Sequence, residues 1–519
     1  MPHELMQQAN KNFFTNILHL IANIVVGVMY TPYLVKSVGM VAYGVVPLAL
    51  VINQYINVIT LSLVNALTRF YSVEYRAGNI EKASCYFSTS IVVGIVFALC
   101  LYPLLHIGVG YIDCFFDIPV NLLDDAKILF RFTIASFFIS IISDCVNTTL
   151  FADNLLNYVN YLKINRQFSK LLINILLFCL LDTNILYIGI ANFTSELLVL
   201  IISICFYKHT KPNGVNFKIQ FYNKAYLFVM LSMVVWVVLQ RFSDTFLYKI
   251  DSVLMNLYFG IKMTGVIGAI SELGSYIYSI TAIITSLFAP ILLIKYSKNN
   301  IADYKQTTIE GSYIVGLFSG LLCALICGFS TTLLRLWLGN EFAVYNLWLI
   351  LKVLVIPYTT IGAMYANSYL YANFNKFPAI GSVMLAFVNV LFSIFALRVF
   401  HTVTIFLTIC TIFIILQGLV MNICFYQYLY KDNLKKIVVD IAKCSMYIIM
   451  MFIISYAINN ITYIYSLQQF VALGFIVFLL GLVILDAFFL NQREHEIIKE
   501  VIPVYEVLRH KLICIFKQK

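Results

Sequence analysis

The chain has 519 residues, of which 61% are hydrophobic and only 11% charged, and its formal net charge is +10. Soluble domains carry about 25% charged residues, so a water-soluble globule is excluded; disorder is excluded too, because its signature is low hydrophobicity with high charge. What remains is a polytopic membrane protein, whose surplus of basic residues sets topology rather than binding nucleic acid.

Fourteen apolar runs approach the roughly 20 residues that a helix needs to cross a bilayer. They cover 13–35, 44–67, 84–110, 128–152, 168–181, 186–207, 225–245, 264–294, 312–334, 345–371, 377–397, 403–426, 441–458 and 468–490. The ten-residue alternation of an outer-membrane barrel is absent. The first run has no Ala-x-Ala site after it and reads as a retained span. The connections are short, and no soluble domain fits between spans. Beyond Asn491 the tail is polar and basic, with an apolar middle broken by Pro503, and is expected on the membrane surface. The 12 cysteines are scattered singly. Cys323 and Cys327 lie one turn apart inside a span, where packing is the better reading than a disulfide or zinc site.

Lys and Arg counts set the orientation. With the N-terminus in the cytoplasm, alternate turns hold Arg69, Arg76 and Lys82; Lys163, Arg166 and Lys170; Lys208, Lys211, Lys218 and Lys224; Lys295, Lys298 and Lys305; Lys376; and Lys431, Lys435 and Lys436. With Lys11, Lys443 and the tail, roughly 25 of the 34 basic residues fall on that side. The opposite side keeps the acidic loop of Asp113, Asp117, Asp124 and Asp125. Both termini are therefore expected in the cytoplasm, with an even number of spans.

A shift of 221 positions aligns Gly44-Val45 with Gly265-Val266, Tyr55-Ile56 with Tyr276-Ile277, Ile59-Thr60 with Ile280-Thr281, and Asn79-Ile80 with Asn300-Ile301. Six spans separate the copies, so they share one orientation. Parallel repeats about an axis along the membrane normal are a transporter device.

Side chains three and four apart share a helix face. Span one carries Asn12, Asn16, His19, Asn23 and Tyr30 on one face; span two Asn53, Asn57, Thr60 and Thr68; span four Thr133, Ser136, Ser140, Asp144 and Asn147; span eight Glu272, Ser275, Ser279 and Ser286. Such groups avoid lipid. Interhelical hydrogen bonds account for any single one, whereas four stripes in both copies point to a shared wet cavity. A charge at mid-bilayer costs about 2.5–3.5 kcal/mol on insertion scales. Asp144, Glu196 and Glu272 fall near the middles of their spans; Arg131, Arg241, Lys249 and Lys352 fall in the outer third, and Arg69 at the inner end of span two. The acids suit proton exchange or pairing with a base, and the bases suit an anionic substrate; snorkelling is the alternative for bases near span ends. There is no Walker-type phosphate loop, His-Glu-x-x-His or Gly-x-Ser-x-Gly motif, and the seven histidines are dispersed. No enzyme, metal site or cofactor is expected.

The segment Tyr30-Thr-Pro-Tyr-Leu-Val-Lys-Ser-Val-Gly39 with Tyr43-Gly44 resembles the Pro-x-Leu…Leu-Gly…Tyr-Gly pattern after the first span of polysaccharide flippases of the multidrug/oligosaccharidyl-lipid/polysaccharide exporter superfamily. Arg69 with Tyr75-Arg-Ala-Gly-Asn79 is similar to the family's basic segment after span two. Asp251 with Gly260 and Gly265 is similar to the segment that opens its second half, although Val266-Ile267-Gly268 lacks the family's Tyr after Val-Gly. Tyr371-Ala-Asn-Phe-Asn-Lys376 resembles its Ala-x-x-Lys turn. The resemblance implies an all-α polytopic membrane protein with about 14 transmembrane helices: a six-helix lobe at 1–210, a second at 211–435, two extra helices at 436–490 and a basic cytoplasmic tail at 491–519. It implies alternating access in the bacterial cytoplasmic membrane, with both termini inside. The implied substrate is an undecaprenyl-pyrophosphate-linked oligosaccharide, moved outward for O-antigen, capsule or exopolysaccharide assembly.

In that frame the sugar and pyrophosphate contacts are assigned to Arg69, Arg131, Arg241, Lys249, Lys352, Asn16, Asn23, Asn53 and Asn57, and ion coupling to Asp144, Glu196 and Glu272. The coupling ion is a proton or sodium. The partners are the lipid-linked substrate and membrane lipids, with room for a polysaccharide polymerase and glycosyltransferases. The alternatives are a cation-coupled multidrug efflux pump of the same superfamily and, behind it, a lipid-linked polysaccharide polymerase, which would need a large outer loop with paired catalytic residues.

Overall fold

The computed structural model describes residues 2–210, 215–298, 300–372 and 374–501. Lys211, Asn373 and the tail with Pro503 lie outside the described residues. Every long apolar run is a helix: α1 (Pro2–Val38), α2 (Met40–Tyr43), α3 (Val45–Arg76), α4 (Ile80–Gly110), α5 (Leu123–Ala152), α6 (Leu156–Leu180), α7 (Leu186–Thr210), α8 (Lys224–Ser297), α9 (Ile301–Gly328), α10 (Ser330–Trp337), α11 (Asn346–Tyr371), α12 (Lys376–Phe400), α13 (Val403–Ile415), α14 (Asn422–Tyr430), α15 (Leu434–Ile461), α16 (Leu467–Ile484) and α17 (Gln492–Val501). Twelve helical runs among the described residues are long and apolar enough to span a bilayer. One of them is α8, broken at Gly260 into two arms. Together with the polar-faced α6, this gives the fourteen crossings expected. The chain is an all-α, multi-pass membrane protein.

The repeat persists in backbone detail. Gly39 and Gly260, offset by 221, have φ of 81° and 78° and break the chain at equivalent points. Asn79 and Asn300 have φ −83° with ψ 67° and 68°, and each precedes a helix. The helices that begin at Ile80 and Ile301 keep the same offset, as do the helix ends at Arg76 and Ser297. Positive φ carries little steric cost only for glycine, so Gly39 and Gly260 make tight turns where other residues would be strained.

The chain divides into two compact units, Met1–Ala269 and Ile270–Lys519. In the first, the repeat-related Gly44 and Gly265 meet. A Cβ on Gly265 would lie 2.8 Å from the Met40 carbonyl oxygen and 3.2 Å from the Gly44 Cα, so the backbones approach as only glycines allow. Asn256, fully buried, clamps the α4–α5 loop: its Oδ1 accepts from the Asp117 N–H at 2.8 Å and its Nδ2 donates to the Asp117 carbonyl at 3.1 Å.

In the second unit α9 is the central helix. Gly316, Gly320 and Gly328 bring it against Cys444, Ile448 and Ser455 of α15, the small-residue packing of membrane interfaces. The part of the tail within the described residues does not lie free on a surface. α17 buries Ile497 and Ile498 in a cluster with Phe288, Leu292, Tyr304 and Met364. Glu310 of α9, with a side chain only 6% exposed, lies 3.3 Å from Arg493 of α17 and 3.4 Å from Lys436 of α15.

One local reading is corrected. Lys163, Arg166 and Lys170, expected in or beside the turn before a span starting at Phe168, lie on α6, which starts at Leu156. The helix is longer than its hydropathy because Asn157 and Asn160 in its first turns are buried and hydrogen-bonded to α1.

Candidate functional site

The polar stripe of α1 lies along α6. At one end Asn12 donates to the Asn154 carbonyl at 2.8 Å and accepts from the Asn157 N–H at 2.9 Å. Gln8 reaches Asn157 Oδ1 at 2.8 Å, and Asn160 donates to Thr15 at 3.2 Å. Further along, Gln167 donates to Asn23 Oδ1 at 2.9 Å, and Lys170 Nζ stands 5.1 Å from the centre of the Tyr30 ring. This part of the stripe holds two helices together.

Between these contacts charge accumulates. Lys163, Arg166 and Lys170 recur at helical spacing on α6 and so share a face. Arg166 Nε meets Glu196 Oε1 of α7 at 2.8 Å; the side chains are 29% and 14% exposed. Asp144 of α5 is within electrostatic reach of Arg166 and Lys163, and of Glu196. His19 of α1 faces the same two bases. Four helices thus bring three cations, two carboxylates and an imidazole to one place. Glu196 holds the guanidinium by one oxygen; its other oxygen, Oε2, is buried without a hydrogen-bond partner. A buried ion pair is stabilising only when its remaining lone pairs are satisfied. This pair falls short of that.

The second copy of the repeat is an internal control. An offset of 221 puts Gln240, Tyr365, Met384, Phe387, Leu391 and Gln417 in the places of His19, Asp144, Lys163, Arg166, Lys170 and Glu196. There the polar contacts are neutral: Gln417 donates to Ser382 at 3.3 Å, and Tyr365 Oη accepts from Ser312 at 2.9 Å. The same succession of helices forms without the charges, so helix formation and order do not demand them. A charge cluster that the fold can do without, and that costs desolvation, is a candidate for function.

The other sequence-derived residues lie elsewhere or are already engaged. Arg69, Arg241 and Asn16 are exposed, and Lys249, Lys352, Asn57 and Glu272 half-buried. Asn53 donates to the Thr133 carbonyl at 2.9 Å; its Oδ1, the Thr133 hydroxyl and Arg131 Nε are buried without partners. The serines of the Glu272 stripe bond their own helix: Ser275 donates to the Glu272 carbonyl at 2.7 Å and Ser279 to the Ser275 carbonyl at 2.8 Å. Among the described residues, no group of three His, Cys, Asp or Glu side chains could hold a metal ion. The bases on α6 were legible only as topology signals, since a basic run beside a span usually is one. Their spacing at 163, 166 and 170 was the available clue.

A solved inward-facing MATE family multidrug resistance transporter of the MOP superfamily aligns at TM-score 0.62 and 15% identity, over 79% of this chain and 97% of its own. The lipid II flippase MurJ, in an inward closed conformation, aligns at TM-score 0.63 and 15% identity, over 92% of this chain and 98% of its own. The chain shares the fold of these two transporters. A MATE transporter of Vibrio cholerae, VcmN in its bent form, shares that fold at TM-score 0.56 and 17% identity, over 84% of this chain and 97% of its own. By sequence, the uncharacterized membrane protein EpsK of Bacillus subtilis (strain 168) is 24% identical over 392 residues, covering 74% of this chain and 76% of its own. No family model matches the sequence. Within this fold the charged cluster belongs to the first copy of the repeat, the equivalent positions of the second being uncharged.

Proposed function

We propose that this protein is a flippase that moves undecaprenyl-pyrophosphate-linked oligosaccharide outward across the bacterial cytoplasmic membrane by alternating access. The observation that carries the reading is the cluster of Lys163, Arg166, Lys170, Asp144 and Glu196, present in one copy of the repeat and neutral in the other. A pyrophosphate needs fixed cations, a sugar needs amide and hydroxyl groups, and Asn23 and Gln167 stand on two of the same helices, α1 and α6. Asp144 is the first candidate for the coupling acid. Support also comes from chain coverage: the lipid II flippase aligns over 92% of this chain, and the two MATE transporters over 79% and 84%. Cation-coupled drug efflux is the second reading. The MATE likeness supports it, and so do the two embedded acids.

The deciding experiment reconstitutes the purified protein in vesicles with a fluorescent polyprenyl-pyrophosphate oligosaccharide on one leaflet and follows its loss from that leaflet. Flipping that is abolished in the Lys163→Gln/Lys170→Gln variant supports the flippase. No flipping by the wild type, together with gradient-driven accumulation of a cationic dye, favours the pump.

A further inference from the structure

Arg166 and Glu196 form a pair that is poorly made for permanence. The contact uses a single carboxylate oxygen at 2.8 Å, leaving Glu196 Oε2 buried and unbonded. A guanidinium presents five donors in a planar fork suited to a bidentate anion, so most of Arg166's capacity is not used by Glu196. One turn away on either side of the same face are Lys163 and Lys170. With Asp144 and Glu196 in place the cluster holds three cations against two carboxylates. Where Arg166 and Glu196 stand, the second copy has Phe387 and Gln417, so the pair is not a requirement of the helix arrangement.

We infer that Glu196 is an internal stand-in for the phosphate of the substrate: it occupies Arg166 when the site is empty, and the incoming phosphate displaces it. The ligand class is a phosphate or pyrophosphate ester, and the inference rests on the flippase reading. A phosphate takes two guanidinium donors and lies between Lys163 and Lys170. The Glu196 carboxylate swings off and becomes a like charge beside the bound anion. That repulsion weakens the hold on the substrate, which suits a carrier that must release what it binds. When the substrate leaves, Glu196 returns and Arg166 is never left bare in a low-dielectric interior. No bond is made or broken; one anion replaces another at the same cation.

The test uses the full-length protein in nanodiscs and measures binding of farnesyl pyrophosphate, inorganic pyrophosphate and farnesol to the wild type, E196Q and R166Q/E196Q. E196Q should bind farnesyl pyrophosphate at least about tenfold more tightly than the wild type, since it removes a like charge from beside the bound anion. It should also turn over more slowly in vesicles. R166Q/E196Q should lose that gain and fall below the wild type. Farnesol should not respond to either change. Inorganic pyrophosphate should follow the same order more weakly if the lipid contributes, and with equal strength if the site takes free pyrophosphate. If E196Q folds poorly, E196D, whose shorter arm draws the carboxylate back, should fall between E196Q and the wild type. Farnesyl pyrophosphate binding that is equal in the wild type and E196Q, or an E196Q gain that survives in the double variant, overturns the displacement and leaves the flippase reading standing. No pyrophosphate binding by any variant overturns both.

Discussion

Arg166 holds Glu196 through one oxygen and is within electrostatic reach of Asp144. Removing the cation alone therefore leaves two carboxylates buried near each other. Breaking a fully buried pair costs roughly 3–5 kcal/mol. With Arg166 29% exposed, R166Q is expected to cost less, on the order of 2 kcal/mol. It should lower the thermal unfolding midpoint in detergent, and R166Q/E196Q should recover most of the loss. Equal midpoints for R166Q and the double variant would mean that the pair contributes nothing to stability. Asp144 has a different test. D144N keeps size and hydrogen bonding but cannot exchange a proton. If Asp144 couples transport, D144N folds and binds but does not turn over, and an imposed pH gradient has no effect on it. Wild-type rates for both D144N and E272Q in vesicles would remove these acids from the mechanism.

At the scale of elements, α17 is a strap across the ends of α9 and α15. Its apolar face buries Ile497 and Ile498, and its Arg493 pairs with Glu310 of α9, which also meets Lys436 of α15. Glu310 is buried but both partners are about half exposed, so each pair is worth roughly 0.5–1 kcal/mol. E310Q is expected to cut hydrogen-exchange protection of residues 492–501 by about two- to fivefold, leaving α9 unchanged. Full protection in E310Q would show that apolar burial alone docks the strap. Glu494, on the same helix, has its pKa raised above the ordinary glutamate value, first by burial and then by Glu310 and Asp440; the Asn491 N–H and Lys436 act against the shift. The sign follows. A carboxyl with a raised folded-state pKa contributes stability that is fully present below its unfolded pKa and is lost as pH rises through the folded value. Docking of α17 should therefore weaken as pH rises from the ordinary glutamate pKa to the raised one. Strap protection measured at several pH values and corrected for intrinsic exchange should show this fall, and E494Q should be flat. A fall of equal size in E494Q would assign the pH dependence to another group.

For the whole molecule, the basic-residue bias predicts one topology. Reporter fusions after Gly78, Lys298 and Asp432 should read cytoplasmic, and fusions after Asp117 and Gly339 should read from the other side. A cytoplasmic signal at Asp117 would invert the orientation and place the acidic loop inside. The 221-residue offset carries a second consequence at this scale. Gly39 and Gly260 take the same left-handed turn, while the charged residues of one copy are neutral in the other. The two copies keep their helix order and differ in the chemistry of their interiors. Function in the proposed cycle is therefore asymmetric, resting on the first copy.

The sequence by itself determined the class, the number of crossings and the repeat. Apolar length and backbone satisfaction in a bilayer leave a helix almost no alternative, and identical residues at an offset of 221 mark the repeat. It also placed Asp144 and Glu196 at mid-span, because their charge stands out against apolar neighbours. It could not reveal their counter-ion. Arg166 lies on a helix whose polar face lowers its hydropathy, and a basic residue near a span end reads as a topology signal. Only the packing of α1, α5, α6 and α7, which brings Glu196, Asp144 and His19 to it, turns the residue from a loop charge into the centre of the cluster. The strap was hidden for a related reason. A short amphipathic helix can lie on lipid or on protein, and its sequence is the same in both cases. The deciding facts are the buried carboxylate of Glu310 and the apolar pocket around Ile498, which come from α8, α9 and α11 and meet only once the chain has folded.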